Sequence, residues 1–282
     1  MNRTTRNFAF FAALLSSVLL APQAQAVVET KLKLNHKSFV IHSPVELEFT
    51  MRNPSRRVFN FQEAGPNASE RARLRFILKD SSGRDVNRTK APLLDDLFII
   101  TPQDQVTRKF DLTALFDIRK ISNYSLQIRL YIDDRVFKTE EVRFETVAGS
   151  SLNKIRTFEP AREFELLRTA RVDGQYLFLA VRGIDAPPNQ TVFGVYELGR
   201  MVQAFSPAME TDLRGNIHIL HSLRPDRYLH TMFTASGRPI DQNLHMAEIG
   251  GASLVADENG VVRVSGTRRM SPEEVGGGRR RP

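Results

Sequence analysis

The chain has 282 residues, with 40 Lys and Arg against 32 Asp and Glu, a formal net charge of +8, no cysteine and no tryptophan. That length allows one large or two ordinary domains, and a hydrophobic content of 41% is enough for a packed core. The absence of cysteine excludes a disulfide scaffold, a thiolate metal centre and a lipid-modified cysteine anchor.

The N-terminus is read first. Arg3 and Arg6 precede an apolar run over residues 8–20, broken only by Ser16 and Ser17, and Ala24-Gln25-Ala26 follows as a small-residue cleavage site. This order predicts a secretory signal peptide over residues 1–26. The run is shorter than the roughly 20 apolar residues that a spanning helix needs. The mature chain is therefore expected to be exported, periplasmic or extracellular, with no transmembrane span. Nucleic acid is not an expected partner for such a chain, despite a pI near 10.0.

Along residues 27–147 the dominant pattern is alternation. Val45, Leu47, Phe49 and Met51 fall on one face, and Asn53-Pro54-Ser55 supplies a turn. Residues 58–61, 74–79, 97–100 and 105–110 read as further strands, with Asp80-Ser81-Ser82-Gly83 closing a hairpin. Tyr124, Leu126, Ile128, Leu130 and Ile132 form the longest alternating face, and Asp133-Asp134 turns it into residues 136–146. Seven or eight short strands with regular turns predict a β-sandwich.

The stretches "VELEFTMRNPSRRVFNF", "LRFILKDSSGRDV" and "FDLTALFDIRKISNYSLQIRLYI" resemble immunoglobulin-like accessory domains of bacterial exported proteins, including the sandwich of BsuPI-type proteinase inhibitors. The resemblance covers residues 27–147 and implies a tyrosine-corner role for Tyr124, although Ser122-Asn123 stands where a glycine is usual. Proteinase inhibition does not follow from a shared fold, and it stays an alternative.

Ala148-Gly149-Ser150-Ser151 opens an expected linker over residues 148–163. Residues 164–265 are expected to form a second antiparallel β-meander, with strands at 164–168, 175–182, 191–198, 201–205, 217–221, 228–234, 254–256 and 261–265. Asp173-Gly174, Asp212-Leu213-Arg214-Gly215 and Asp257-Glu258-Asn259-Gly260 start about 39 and 45 residues apart, near a propeller-blade period. Asp80 to Gly83 shows the same grammar in the first half, so hairpin grammar is favoured over blades. Residues 266–282 are expected to be a disordered basic tail carrying Arg268, Arg269, Arg279, Arg280 and Arg281. Such a tail either keeps the chain soluble or meets an anionic envelope polymer.

Residues 215–230 hold three of the six histidines. Side chains alternate along a strand, so His218 and His221 diverge and at most one of them meets His230 across a hairpin. A metal site needs three or four converging ligands, and the candidate set is His221, His230 and His245. The favoured reading leaves these as ordinary half-buried sheet residues. Asp95-Asp96 and Asp133-Asp134 point to opposite faces if on strands and make no acid–base pair. No nucleophile-elbow, dinucleotide, P-loop or EF-hand pattern occurs.

The expectation is a non-catalytic exported binding or scaffold protein of the cell envelope, with no cofactor, whose partner is an envelope protein or an anionic polymer. The loops at residues 62–73 and around Pro187-Pro188 and the arginine tail are the candidate contacts. The main alternative is a metal-binding protein or metal-dependent enzyme built on the histidine hairpin.

Overall fold

A computed structural model describes residues 28–63, 72–91, 98–185, 190–248, 251–271 and 274. The expected signal peptide, most of the loop at 62–73, Asp95-Asp96, Pro187-Pro188 and Arg279 to Arg281 lie outside the described residues. Among the described residues no helix is long and apolar enough to cross a membrane.

The chain is all-β, a sandwich followed by an antiparallel β unit. The first unit runs β1 (Glu29–Leu34), β2 (Ser38–Val40), β3 (Glu46–Arg52), β4 (Phe59–Glu63), β5 (Arg73–Lys79), β6 (Phe98–Ile100) and β7 (Gln105–Asp111). It continues through a one-turn helix α1 (Leu112–Leu115) to β8 (Asn123–Ile132), β9 (Arg135–Lys138) and β10 (Val142–Val147). One sheet is ordered β1-β3-β7; the other is β2-β10-β8-β5-β4-β6, with β9 paired to β8. The alternating faces make the core: Leu47, Phe49 and Met51 of β3 pack with Leu74, Phe76 and Leu78 of β5 and Leu126, Ile128 and Leu130 of β8, all buried. Tyr124 closes the corner, its hydroxyl donating to the Lys120 carbonyl at 2.8 Å.

The second unit runs β11 (Ser150–Phe158), β12 (Ala161–Arg171), β13 (Gly174–Arg182), β14 (Val192–Met201), β15 (Ala208–Thr211) and β16 (Ile217–Arg224). It ends with β17 (Arg227–Phe233), β18 (Pro239–Ala247), β19 (Ser253–Ala256), β20 (Val262–Ser265) and β21 (Thr267–Arg269). The sheets are β11-β12-β13-β14, then β15-β16-β17-β18-β21, then the hairpin β19-β20. Phe164, Leu166, Leu177, Leu179 and Val181 on one sheet meet Ile217, Ile219 and Phe233 on the next.

Three expectations are corrected. Residues 150–158 are not linker but strand β11, paired along its length with β12, so only Ala148 and Gly149 separate the two units. The pattern was hidden because β11 is an edge strand that buries only Thr157 and, in part, Ile155. The tail does not begin at 266: β21 pairs with β18, and the Met270 N–H donates to the Leu244 carbonyl at 2.8 Å. The strand expected at 201–205 is the end of β14 at Met201 followed by a turn.

The recurring Asp motifs are one turn used three times. Asp80 Oδ1 accepts from the N–H groups of Ser82 (2.9 Å) and Arg84 (3.1 Å). Asp212 Oδ1 does the same for Arg214 (2.9 Å) and Asn216 (2.8 Å), and Asp257 Oδ1 for Asn259 and Val261, both at 2.9 Å. The fourth residue, Gly83, Gly215 or Gly260, takes φ of 78°, 77° or 64°, the left-handed conformation that glycine adopts without strain. The motifs at Asp80, Asp212 and Asp257 therefore share one turn, whereas Asp173-Gly174 differs, with Gly174 at φ 142° and Asp173 accepting from the Tyr176 hydroxyl.

The units are fastened to each other. Val40 of β2 is 1% exposed and packs with Leu167, Phe178, Ala180 and Val195 of the second unit. At the crossing, Gly149 has φ +75°, and a Cβ there would lie 3.2 Å from Leu167 Cβ. Gly83 has the same backbone class but open space around it. Gly149→Ala is therefore expected to cost about 1–3 kcal/mol and more than Gly83→Ala, measured by urea unfolding of each variant. Equal costs would mean that the Leu167 contact does not matter.

Candidate functional site

Two places bring chemistry-bearing side chains together. The first is a cleft of about 420 Å³ between the units. It is lined on one side by Asn35, His36, Ser43, Pro44 and Glu46. On the other it is lined by five consecutive residues of β14, from Val195 to Gly199. Side chains of a strand alternate between faces, so five successive lining residues mean that the strand presents its edge. β14 ends its sheet, and its ladder shifts register between Leu177 and Phe178 of β13, where Gly199 takes φ +110°. Bulges of this kind bend an edge and recur beside binding sites.

Arg171 pairs with Glu197, one of the residues that line this cleft. Its side chain is 4% exposed, and its two terminal nitrogens donate to both Glu197 carboxylate oxygens at 2.9 Å. Nε reaches across the boundary to the Ser38 carbonyl at 3.2 Å. The guanidinium lies 4.4 Å from the Tyr176 ring centre and 5.3 Å from that of Phe178. His36 Nε2 stands 3.7 Å from Glu197. Burial and then Arg171 push His36 below the usual imidazole range, while Glu197, Asp173 and Glu46 pull the other way. Of the two carboxylates that line the cleft, Glu197 is already paired with Arg171 and Glu46 is exposed.

The second place is the sheet of β15 to β18 and β21. Its outer face carries a polar line across the strands. Asp212, held by the Asn216 side-chain amide at 2.9 Å, faces His218 Nε2 at 3.3 Å. His218 Nδ1 lies 3.0 Å from His230 Nε2, with the two rings stacked at 5.2 Å. His230 and His245 meet edge to face at 6.0 Å, and His245 Nδ1 lies 3.1 Å from Thr267 Oγ1. Burial first, then the neighbouring His218 and His245, lower the His230 pKa to about 4.

The expected trio of His221, His230 and His245 is not brought together. The β16–β17 ladder slips between Ser222 and Arg224, which pairs His230 with Leu220 and His221 with Leu229. A one-residue slip moves a side chain to the other face. By strand alternation His221 shares the face of Ile217 and Ile219, and it is 1% exposed. Among the described residues no group of three or more histidines, cysteines or carboxylates is placed to hold a metal ion. Arg268 is paired with Glu274 at 2.8 and 3.0 Å, and Arg269 lies opposite His245 on β21. Asp133 is salt-bridged to Arg57 at 2.9 Å and serves the β8–β9 turn.

Sequence reading missed Asp212 and His218 as partners of His230, and it missed the cleft. The hairpin slip hid the first. The second joins residues far apart in the chain, and no local pattern marks it. No protein-family model matches the chain, and a search of curated proteins finds no significant relative.

His221 gives the molecule a pH dependence. Burial lowers its pKa from 6.5 to about 4, with the Arg200 backbone partly opposing. Between those values the unfolded imidazole takes a proton that the folded one refuses. Its contribution is complete above pH 6.5 and is lost as the pH falls toward 4, by roughly 3 kcal/mol. His221→Leu is expected to flatten that part of the stability curve, read by urea unfolding at pH 7.5 and 5.0; an unchanged slope would contradict it.

Proposed function

We propose that the chain is a non-catalytic binding protein of the cell envelope, an assembly module that receives an extended segment of a partner protein in the interdomain cleft. One observation carries this reading: the free edge of β14 lines the cleft over five successive residues. An unpaired strand edge is a template for another strand, with main-chain hydrogen bonds giving affinity and flanking side chains giving specificity. Glu46, exposed at the cleft rim, favours a segment with a cationic side chain. The leader-like N-terminus supports export, and a cysteine-free chain is indifferent to the redox state it meets there.

Arg268 already has a carboxylate partner, so an anionic polymer would have to compete with Glu274.

The test is in-cell photocrosslinking with a photoreactive phenylalanine at Glu46 and, separately, at Glu258 on the far β19–β20 turn. The expected result is one adduct from position 46 alone, mapped by mass spectrometry to one contiguous segment of one protein. With the photoreactive residue moved to Pro44, which is exposed and lines the same cleft, Glu46→Lys should reduce that adduct several-fold. Equal, diffuse labelling from positions 46 and 258 would overturn the proposal.

A further inference from the structure

Residues directly opposite each other on neighbouring strands share a face, and like charges placed so repel. Two rows of charged residues across three strands obey this rule. On the sheet β1-β3-β7, Glu48 stands between Lys33 and Lys109. In the second unit, Glu163 stands between Arg156 and Arg182. The face of β5, β8 and β9 breaks the rule. There Arg129 stands between Arg75 and Lys138, three cations in one row about 10 Å from end to end. The next row on the same face is Arg73, Tyr131 and Val136. Arg75 and Lys138 are exposed, and Arg73 and Arg129 are half-buried. Nε of Arg73 and Nε of Arg129 donate to no atom, and among the described residues no carboxylate is salt-bridged to any of the four cations. The row costs folding stability, and an anion lying against it would offset that cost.

We propose that this face binds an anionic phospholipid surface, with lipid phosphates over the cation row. Charge complementarity sets the sign of the partner. Three of the four cations are arginines, whose planar fork takes phosphate oxygens two at a time. The adjoining row favours a bilayer over a soluble polyanion. Val136 is 51% exposed, and beside it is the Tyr131 ring, with the Arg73 guanidinium 5.3 Å from its centre. An aromatic ring and an exposed aliphatic side chain next to cations suit the headgroup boundary, where apolar groups meet acyl chains and cations meet phosphate. Two carboxylates lie at the β8–β9 turn. Asp133 is already paired with Arg57, and Asp134, exposed beside Arg135, weakens the field in part.

The experiment is co-sedimentation of the tag-free mature chain at low salt with two kinds of vesicle. One holds phosphatidylcholine and phosphatidylglycerol in equal parts, the other phosphatidylcholine alone. The expected result is binding to the mixed vesicles only, weakening as salt is raised. Each cation near such a surface is worth about fivefold in partitioning, so Lys138→Gln alone should lose about fivefold. Arg75→Gln, Arg129→Gln and Lys138→Gln together should lose well over about tenfold. Lys31→Gln, Lys33→Gln and Lys109→Gln together remove as many exposed cations from the other sheet and should leave binding close to wild type. So should Arg279→Gln, Arg280→Gln and Arg281→Gln together. Circular dichroism checks that each variant is folded. Equal binding to both vesicles, equal losses from the two sheets, or a loss confined to the Arg279–Arg281 variant overturns the proposal. So does failure to bind the mixed vesicles; poly-glutamate or polyphosphate bound in their place would assign the face to a soluble polyanion. None of these outcomes bears on the cleft.

Discussion

The arrangement depends on the buried guanidinium of Arg171. It sits in the second unit, stacks on two aromatic rings, pairs both oxygens of Glu197 and still reaches a backbone carbonyl of β2 in the first. A buried charge is tolerated only when its hydrogen-bonding capacity is met, and here the partners come from both units. The planar fork that satisfies a carboxylate and a carbonyl at once is a geometry lysine does not offer. Around it, Val40 fills a socket of Leu167, Phe178, Ala180 and Val195. The polar clamp fixes orientation and the apolar plug supplies burial. Together they hold one end of β14 against the first unit while leaving its outer edge uncovered.

The second unit separates its two sheet faces by chemistry. The inner face of β16 and β17 is apolar, and His221 is accepted there only as a neutral ring. The outer face carries Asp212, His218, His230 and His245 in a line of directed hydrogen bonds and ring contacts. The slip at residues 222–224 puts His230 on the face of His218 rather than on that of His221.

Much of the fold was legible because burial follows period two. The alternation at β3 and β8 predicted their buried faces, and the Asp-x-x-Gly stretches predicted their turns. What was not legible has physical reasons. β11 and β18 carry mostly polar residues because one is an edge and the other serves an open face, so neither shows an apolar stripe. The partner of His230 depends on hairpin register, which a bulge changes without altering composition. The cleft depends on Asn35 to Glu46 lying beside Val195 to Gly199, a contact made only when the chain is folded.

The most direct test of this account is the distance between the units in solution. The chain has no cysteine, so Lys109→Cys and Glu258→Cys place one spin label on each unit without interference. Both positions are exposed. If Arg171 and Val40 clamp the units, double electron–electron resonance will give a single narrow distance distribution, and Arg171→Ala will broaden it. A broad or two-peaked distribution in the otherwise native chain would mean that the units move independently and that the β14 edge is not held in a fixed cleft.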